Sequence, residues 1–153
     1  MMRIAAAVLL SMGLAAPAAA HEVKAGDLTL SGLEMRASLG ANPNTAAYVV
    51  VSNKGARADR LMSVSCACAA KVQVHATETA GGVSRMKPAG PIIIPAGGRA
   101  VFAPGAYHLM VTGLKTKLVD GGMQEMVLRF ERAGAVKAGF HVKARIGAAE
   151  HRH

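Results

Sequence analysis

The chain has 153 residues, a formal net charge of +9 and an aromatic content of only 3%. This length suits one domain with its own hydrophobic core. The lysines and arginines stand singly along the sequence with few aromatic side chains among them, so nucleic acid is excluded as the predicted partner, and a solvated basic surface that favours acidic proteins is predicted instead.

The first twenty residues predict a secretory signal peptide. Arg3 precedes an apolar run over residues 4–16, and small residues up to Ala20 form an A-x-A cleavage site. The apolar run is shorter than the ~20 residues that a membrane span requires. We therefore expect a periplasmic protein that begins at His21 and has no stable membrane insertion after cleavage.

Short strands and turns, rather than helices, are predicted from Val23 onward. Residues 27–30 alternate in polarity, and residues 45–52 (TAAYVVVS) are rich in β-branched side chains between two turn sequences. Both segments are typical of strands.

The next strand is predicted to carry a histidine on its polar face. Residues 71–77 (KVQVHAT) alternate strictly, so His75 lies on the opposite face from the valines. Gly81-Gly82 then predicts a turn. The chain can double back there and bring Met86 beside His75, across a hairpin or in its loop.

A second pair of polar-face residues follows a proline-rich segment. Prolines flank residues 92–94, which favours an edge strand or extended loop there. Residues 107–111 (YHLMV) resume alternation, and His108 and Met110 lie two residues apart. On a strand these two side chains point to the same face.

The last third of the chain predicts a closing antiparallel pair of strands. Residues 126–131 alternate, and so do residues 136–146, with one face apolar and the other mostly basic. Residues 147–153 predict a flexible, histidine-containing tail. In total, seven or eight short strands predict a single all-β domain over residues 21–146, either a sandwich or a barrel.

His75, Met86, His108 and Met110 form the candidate metal site. Alone, each histidine would be better interpreted as a hydrogen-bonded structural residue, and Met110 could fill a gap in the core. Two imidazoles and two thioethers that converge would instead favour Cu(I), because thioether sulfur is soft and imidazole is borderline. Neither imidazole nor thioether is a thiolate, so such a site has no thiolate that could be oxidised in the periplasm.

The spacing of these donors, H-x10-M-x21-H-x-M, resembles that of periplasmic copper chaperones of the PCuAC type. The flanking sequences are similar too, namely Gly-Gly-Val at 81–83, Ile-Pro-Ala-Gly-Gly at 94–98 and Gly-Ala-Tyr-His-Leu-Met at 105–110. Residues 32–36 (GLEMR) depart from the family's His-Pro-Trp-Ala-Arg run and keep only its arginine. Partner contacts made by that run therefore do not carry over to this chain.

The resemblance implies a cupredoxin-like Greek-key β-sandwich that binds one Cu(I) through His75, Met86, His108 and Met110. It also implies delivery of copper to the CuA centre of cytochrome c oxidase or to other periplasmic copper proteins. Copper buffering or resistance would use the same site and stays open as an alternative.

Other function classes are less well supported by the sequence. A blue-copper electron carrier needs a cysteine near its histidine and methionine ligands, and none lies between His75 and Met110. No nucleophile and base are arranged as in a hydrolase, so we do not expect an enzyme.

Cys66 and Cys68 are a candidate redox or secondary metal pair. On a strand, residues two apart share a face, so the two thiols could form a disulfide, bind metal or have no part in copper traffic. A thiol-disulfide redox protein is a further alternative, although the C-x-x-C spacing is absent.

The histidines at the two ends of the mature chain are candidate secondary ligands for Cu(II). The imidazole and α-amine of His21 could chelate this nitrogen-preferring ion, and His151 and His153 could supply further nitrogen. The alternative is an unconstrained terminus and a solvated tail. His141 is predicted to be a surface residue.

Overall fold

Eleven β-strands make up the part of the chain that the computed structural model describes, residues 21–146, and that part contains no helix. The single all-β domain is therefore confirmed. The signal peptide expected for residues 1–20 and the tail expected for residues 147–153 lie outside the described residues. The strands are β1 (Val23–Ala25), β2 (Leu28–Arg36), β3 (Thr45–Asn53), β4 (Asp59–Cys66), β5 (Ala69–Ala80), β6 (Val83–Pro88), β7 (Ile92–Ile94), β8 (Arg99–Phe102), β9 (Tyr107–Leu114), β10 (Met123–Phe130) and β11 (Gly134–Lys143).

The strands hydrogen-bond in the order β6-β5-β9-β8-β3-β2-β11-β10-β4-β7, and β1 adds to β2. Most neighbours are antiparallel, and the pairs β2–β11 and β8–β9 are parallel. β4 also lies against β5, and β7 lies against β8, so the two ends of this order meet around one core. No helix long and apolar enough to cross a membrane occurs within residues 21–146.

The core is filled from the inward-facing positions of the alternating strands. Its three phenylalanines, Phe102, Phe130 and Phe140, are fully buried. Burial of each such side chain contributes roughly 2 kcal/mol. Packing of the core fixes the position of each strand, and so it also fixes the positions of the outward-facing residues. The candidate site lies among these outward-facing residues.

The structure contains more strands, and a longer β2, than the sequence predicted. The sequence predicted only residues 27–30 of this strand because its alternation is interrupted after residue 30. There the register with β3 shifts between Ser31 and Glu34, and Gly32 adopts a φ of 60°. β4 was not predicted at all, since its burial pattern is broken by a register shift against β10. The prediction of seven or eight strands was therefore too low. The edge strand predicted at residues 92–94 is β7, and the predicted closing pair is β10 and β11.

A buried carboxylate ties the start of β4 to the turn between β10 and β11. Asp59 is only 4% exposed, and its two oxygens accept hydrogen bonds from the backbone N–H groups of Arg60 (2.7 Å), Arg132 (2.9 Å) and Ala133 (3.0 Å). Burial by itself raises the pKa of Asp59, but the three N–H donors and the nearby Arg132 charge outweigh it and lower that pKa below 3.8. The ionised carboxylate of Asp59 therefore stabilises the folded state.

Candidate metal centre

The first pair of candidate ligands is set by the β5–β6 hairpin. Gly81 and Gly82 have φ values of 58° and 77°, which suit a two-residue turn between twisted strands. The hairpin pairs His75 with Pro88 and Thr77 with Met86. Met86 is thus two residue pairs along the hairpin from His75, on the same face of the sheet. The hairpin was predicted correctly, but Met86 lies within β6 and not in a loop.

The second pair enters from β9, which lies on the other side of β5. His108 stands directly opposite His75, and Met110 stands opposite Gln73. The two imidazole ring centroids are 5.7 Å apart at an interplanar angle of 65°. His75, His108 and Met110 therefore project from one face, as the two-residue spacing predicted for the last two. The pairing of β5 with β9 could not be predicted from the spacing, since it joins segments about thirty residues apart.

Each of the two histidines has a buried ring nitrogen without a hydrogen-bond partner among the described residues. His108 is 4% exposed and His75 is half-buried, and the Nε2 atom of each is buried with no hydrogen-bond partner among the described residues. A buried polar atom left unpaired costs roughly 1–3 kcal/mol and calls for a specific explanation. Each Nε2 is a nitrogen that a metal ion could take as a ligand.

The environment of His108 favours its neutral form. Burial is the main cause that lowers the pKa of His108, and the charge on His75 lowers that pKa further, against a backbone hydrogen bond with Ala106 that raises it. Because a histidine must be unprotonated at the ligating nitrogen, the lowered pKa of His108 favours the form of this residue that can bind a metal.

The two methionines of the candidate site are more exposed to solvent than His108. Met110 is half-buried, whereas Met86 is 64% exposed. Both, together with His108, line a cavity of about 410 Å³. Arg36, Leu39 and Tyr48 also line this cavity. No group of three histidine, cysteine, aspartate or glutamate side chains that could hold a metal occurs in residues 21–146, so a metal on this face depends on methionine sulfur.

Comparison with known proteins places the chain in a family. Residues 28–142 match the family model described as "Putative lipoprotein LpqE-like". The chain belongs to this LpqE-like family. A relative from Leifsonia xyli subsp. xyli, named "Putative lipoprotein Lxx21020", is 34% identical over 107 residues, which cover 69% of this chain and 64% of the relative. The chain thus spans less than two thirds of that relative's length.

Solved structures share the fold of this LpqE-like chain. The copper-bound PCuAC domain from PmoF2 superposes with a TM-score of 0.71 at 29% identity, over 82% of this chain and 99% of that domain. The solution structure of apo-DR1885 from Deinococcus radiodurans gives a TM-score of 0.62 at 25% identity, over 95% of this chain and 98% of that one. The predicted cupredoxin-like all-β fold is therefore confirmed, and the resemblance to PCuAC-type proteins is supported.

The cysteines of the LpqE-like chain lie outside this site. Cys66 ends β4, Cys68 follows two residues later in the turn before β5, and the two form a disulfide bond with their Cα atoms 5.1 Å apart. Of the arrangements open from the sequence, the structure shows the paired one. In this state neither sulfur is a thiolate, and neither lines the cavity beside His108.

Of the remaining candidate histidines, His21 lies beside His141 on β11, away from the first site. His21 is exposed and its ring lies edge-on to that of His141, with ring centroids 5.6 Å apart. His141 is half-buried rather than isolated on the surface, which the sequence pattern did not indicate. His151 and His153 fall outside the described residues.

Proposed function

We propose that this protein is a periplasmic metallochaperone that carries one Cu(I) at His75, Met86, His108 and Met110. The observation that carries the proposal is the pair of buried, unpartnered Nε2 atoms on adjacent strands, on the face that also presents both thioethers. Copper would satisfy both nitrogens at once. The PmoF2 domain, which has the same fold, is a copper-bound protein.

The donor chemistry supports Cu(I) over other ions. Thioether sulfur is a soft ligand that selects Cu(I), and imidazole suits copper in either oxidation state. All four donors are neutral when bound, so no anionic cage holds the metal. Neutral donors favour release to an acceptor, which a carrier requires and a storage protein does not.

The exposure of Met86 supports a route for that release. This residue lies on β6, a strand that is exposed along its whole length and is hydrogen-bonded only to β5 within the described residues. An incoming acceptor ligand could replace Met86 while His75, His108 and Met110 still hold the ion. The protein would thus act as a carrier and not as an enzyme.

The proposed acceptor is an acidic periplasmic copper protein, with the CuA subunit of cytochrome c oxidase as the first candidate. Arg36 borders the cavity that Met86 lines, whereas Arg85 and Lys87 lie next to Met86 on β6 at positions that face the other side of the sheet. Lys87 is paired with Glu78 at 2.6 Å, so Arg36, which borders the cavity, is the basic residue proposed to meet an acidic partner there.

Transfer to an apo CuA domain tests the proposal. The apo protein would be loaded with one equivalent of Cu(I) without oxygen, mixed with the acceptor, separated and assayed for copper in each fraction. We expect most of the copper on the acceptor. Retention of copper by this protein at stoichiometric ratios would favour buffering or resistance. A change in the Cys66–Cys68 redox state during transfer would favour the thiol-disulfide alternative.

The Met86→Leu variant tests the ligand assignment. Leucine keeps the size of the side chain and removes its sulfur, so we expect affinity for Cu(I) to fall at least tenfold, which corresponds to about 1.4 kcal/mol, with the fold unchanged. Competition with a Cu(I) chelator measures this change. The matched control is Met62→Leu, because Met62 is also an exposed strand methionine but lies on β4, away from the cavity. Equal affinity in both variants would contradict the assignment.

A further inference from the structure

A second group of soft and borderline donors lies on a different part of the sheet. His141 on β11 is paired in register with Met123 on β10, and the ring of His21 packs edge-on against His141 with a centroid separation of 5.6 Å. His75 and His108 have almost the same separation, 5.7 Å. Two imidazoles and a neighbouring thioether therefore recur in a place that shares no residue with the first site.

A glycine makes room for this group. On Gly139 an added Cβ would lie 2.8 Å from the sulfur of Met123 and 3.9 Å from Nε2 of His21. The thioether and the imidazole nitrogen thus both lie close to Gly139, a backbone position that carries no side chain. The same strand continues two residues later to His141, whose side chain points to the same face.

The exposure of these donors distinguishes the group from core packing. Met123 is 53% exposed, His21 is exposed and His141 is half-buried. A large apolar side chain on a solvent-facing strand position gains little from burial there. The arrangement is open enough for a metal ion to enter without any movement of the core.

We propose that His21, Met123 and His141 form a second, shallower copper-binding site. Imidazole and thioether donors together favour Cu(I). If the chain is cut after Ala20, as the sequence predicts, the α-amine of His21 adds a fourth donor. The site would bind more weakly than the first because it is more exposed and has one thioether fewer. It would let the protein take up a second ion while the first site is full.

Copper stoichiometry tests this site independently of the first. The exported full-length protein, with its N-terminus determined by mass spectrometry, would be titrated anaerobically with Cu(I) against a chromogenic chelator. We expect two equivalents, the second held at least tenfold more weakly. His141→Ala and His21→Ala should each remove the second equivalent and leave the first, and X-ray absorption of the second equivalent should show copper–sulfur scattering that Met123→Leu abolishes.

Three control variants distinguish copper binding at this site from binding elsewhere on the chain. Gly139→Ala should weaken the second equivalent by displacing the Met123 sulfur, without removing any ligand, and Met62→Leu should leave both equivalents intact. Removal of residues 147–153 should also leave both. A native protein that binds only one equivalent would overturn the proposal, and so would loss of the second equivalent on tail removal combined with its retention in His141→Ala.

Discussion

At the scale of single residues, the candidate centre lowers folding stability, because it buries two imidazole nitrogens that have no hydrogen-bond partner among the described residues. The Nε2 atoms of two neighbouring imidazole rings, whose centroids are 5.7 Å apart, are buried, and burial lowers the pKa of the more buried ring, that of His108. Residues selected for folding alone would pair these atoms or replace them with apolar groups. The unpaired nitrogens and the exposed Met86 sulfur therefore support the proposal that these residues bind a metal.

Asp59 shows the opposite arrangement, in which every polar contact supports the fold. Asp59→Asn would put an N–H₂ donor against backbone N–H groups, so we expect a loss of about 2 kcal/mol in the free energy of unfolding near pH 7. Urea denaturation would measure this loss. Asp120→Asn is the control, because Asp120 is exposed and accepts one backbone hydrogen bond, from Ala144, so its loss should be smaller.

The effect of Asp59 should depend on pH in a defined direction. Its pKa is lower in the folded state, so its contribution is complete above the unfolded value of 3.8 and is lost as the pH falls through the folded pKa. The difference between the native protein and Asp59→Asn should therefore narrow below about pH 4. A constant difference down to pH 2 would show that the carboxylate charge is not what stabilises this turn.

At the scale of elements, the β5–β6 hairpin determines where Met86 lies. β6 has an exposed side chain at each of its six positions, and within the described residues it is paired only with β5. Its position therefore depends on the turn and on the hydrogen bonds of the hairpin. The flanking basic residues Arg85 and Lys87 also protect this edge from pairing with another chain.

Strain in the turn should reach the metal centre through this hairpin. Gly82→Ala places a Cβ at φ 77°, so we expect a cost of about 1 kcal/mol and a several-fold weaker affinity for Cu(I), through a misplaced Met86. Chelator competition and urea denaturation would measure the two effects. Gly81→Asn should be tolerated because asparagine adopts positive φ readily, and Gly90→Ala should be neutral because its Cβ meets nothing within 4 Å. Equal affinity for Cu(I) in all three variants would show that the conformation of the turn does not affect the candidate metal centre.

At the scale of the whole molecule, the features that depend on local sequence pattern could be predicted, whereas those that depend on pairing between distant segments could not. The Gly81-Gly82 turn and the two-residue spacing of His108 and Met110 are local, so the sequence predicted both. The contact between His75 and His108 depends on β5 pairing with β9, and the group at His21 depends on the segment before β1 lying against β11. Neither leaves a local periodic signal, although the register of a β10–β11 hairpin would have placed Met123 opposite His141.

Copper should stabilise the entire domain, because the first site joins three strands, β5, β6 and β9, that do not form in the unfolded chain. A free Cu(I) concentration of 100 times the dissociation constant adds about 2.7 kcal/mol to the free energy of unfolding, and this is about 10 °C in Tm for a domain of this size. The measurement belongs in a His141→Ala background, where the second proposed site contributes nothing. There, His108→Ala should abolish the shift, whereas Asp59→Asn should lower Tm and keep the shift intact. A full shift in His108→Ala would mean that copper stabilises the protein from another place.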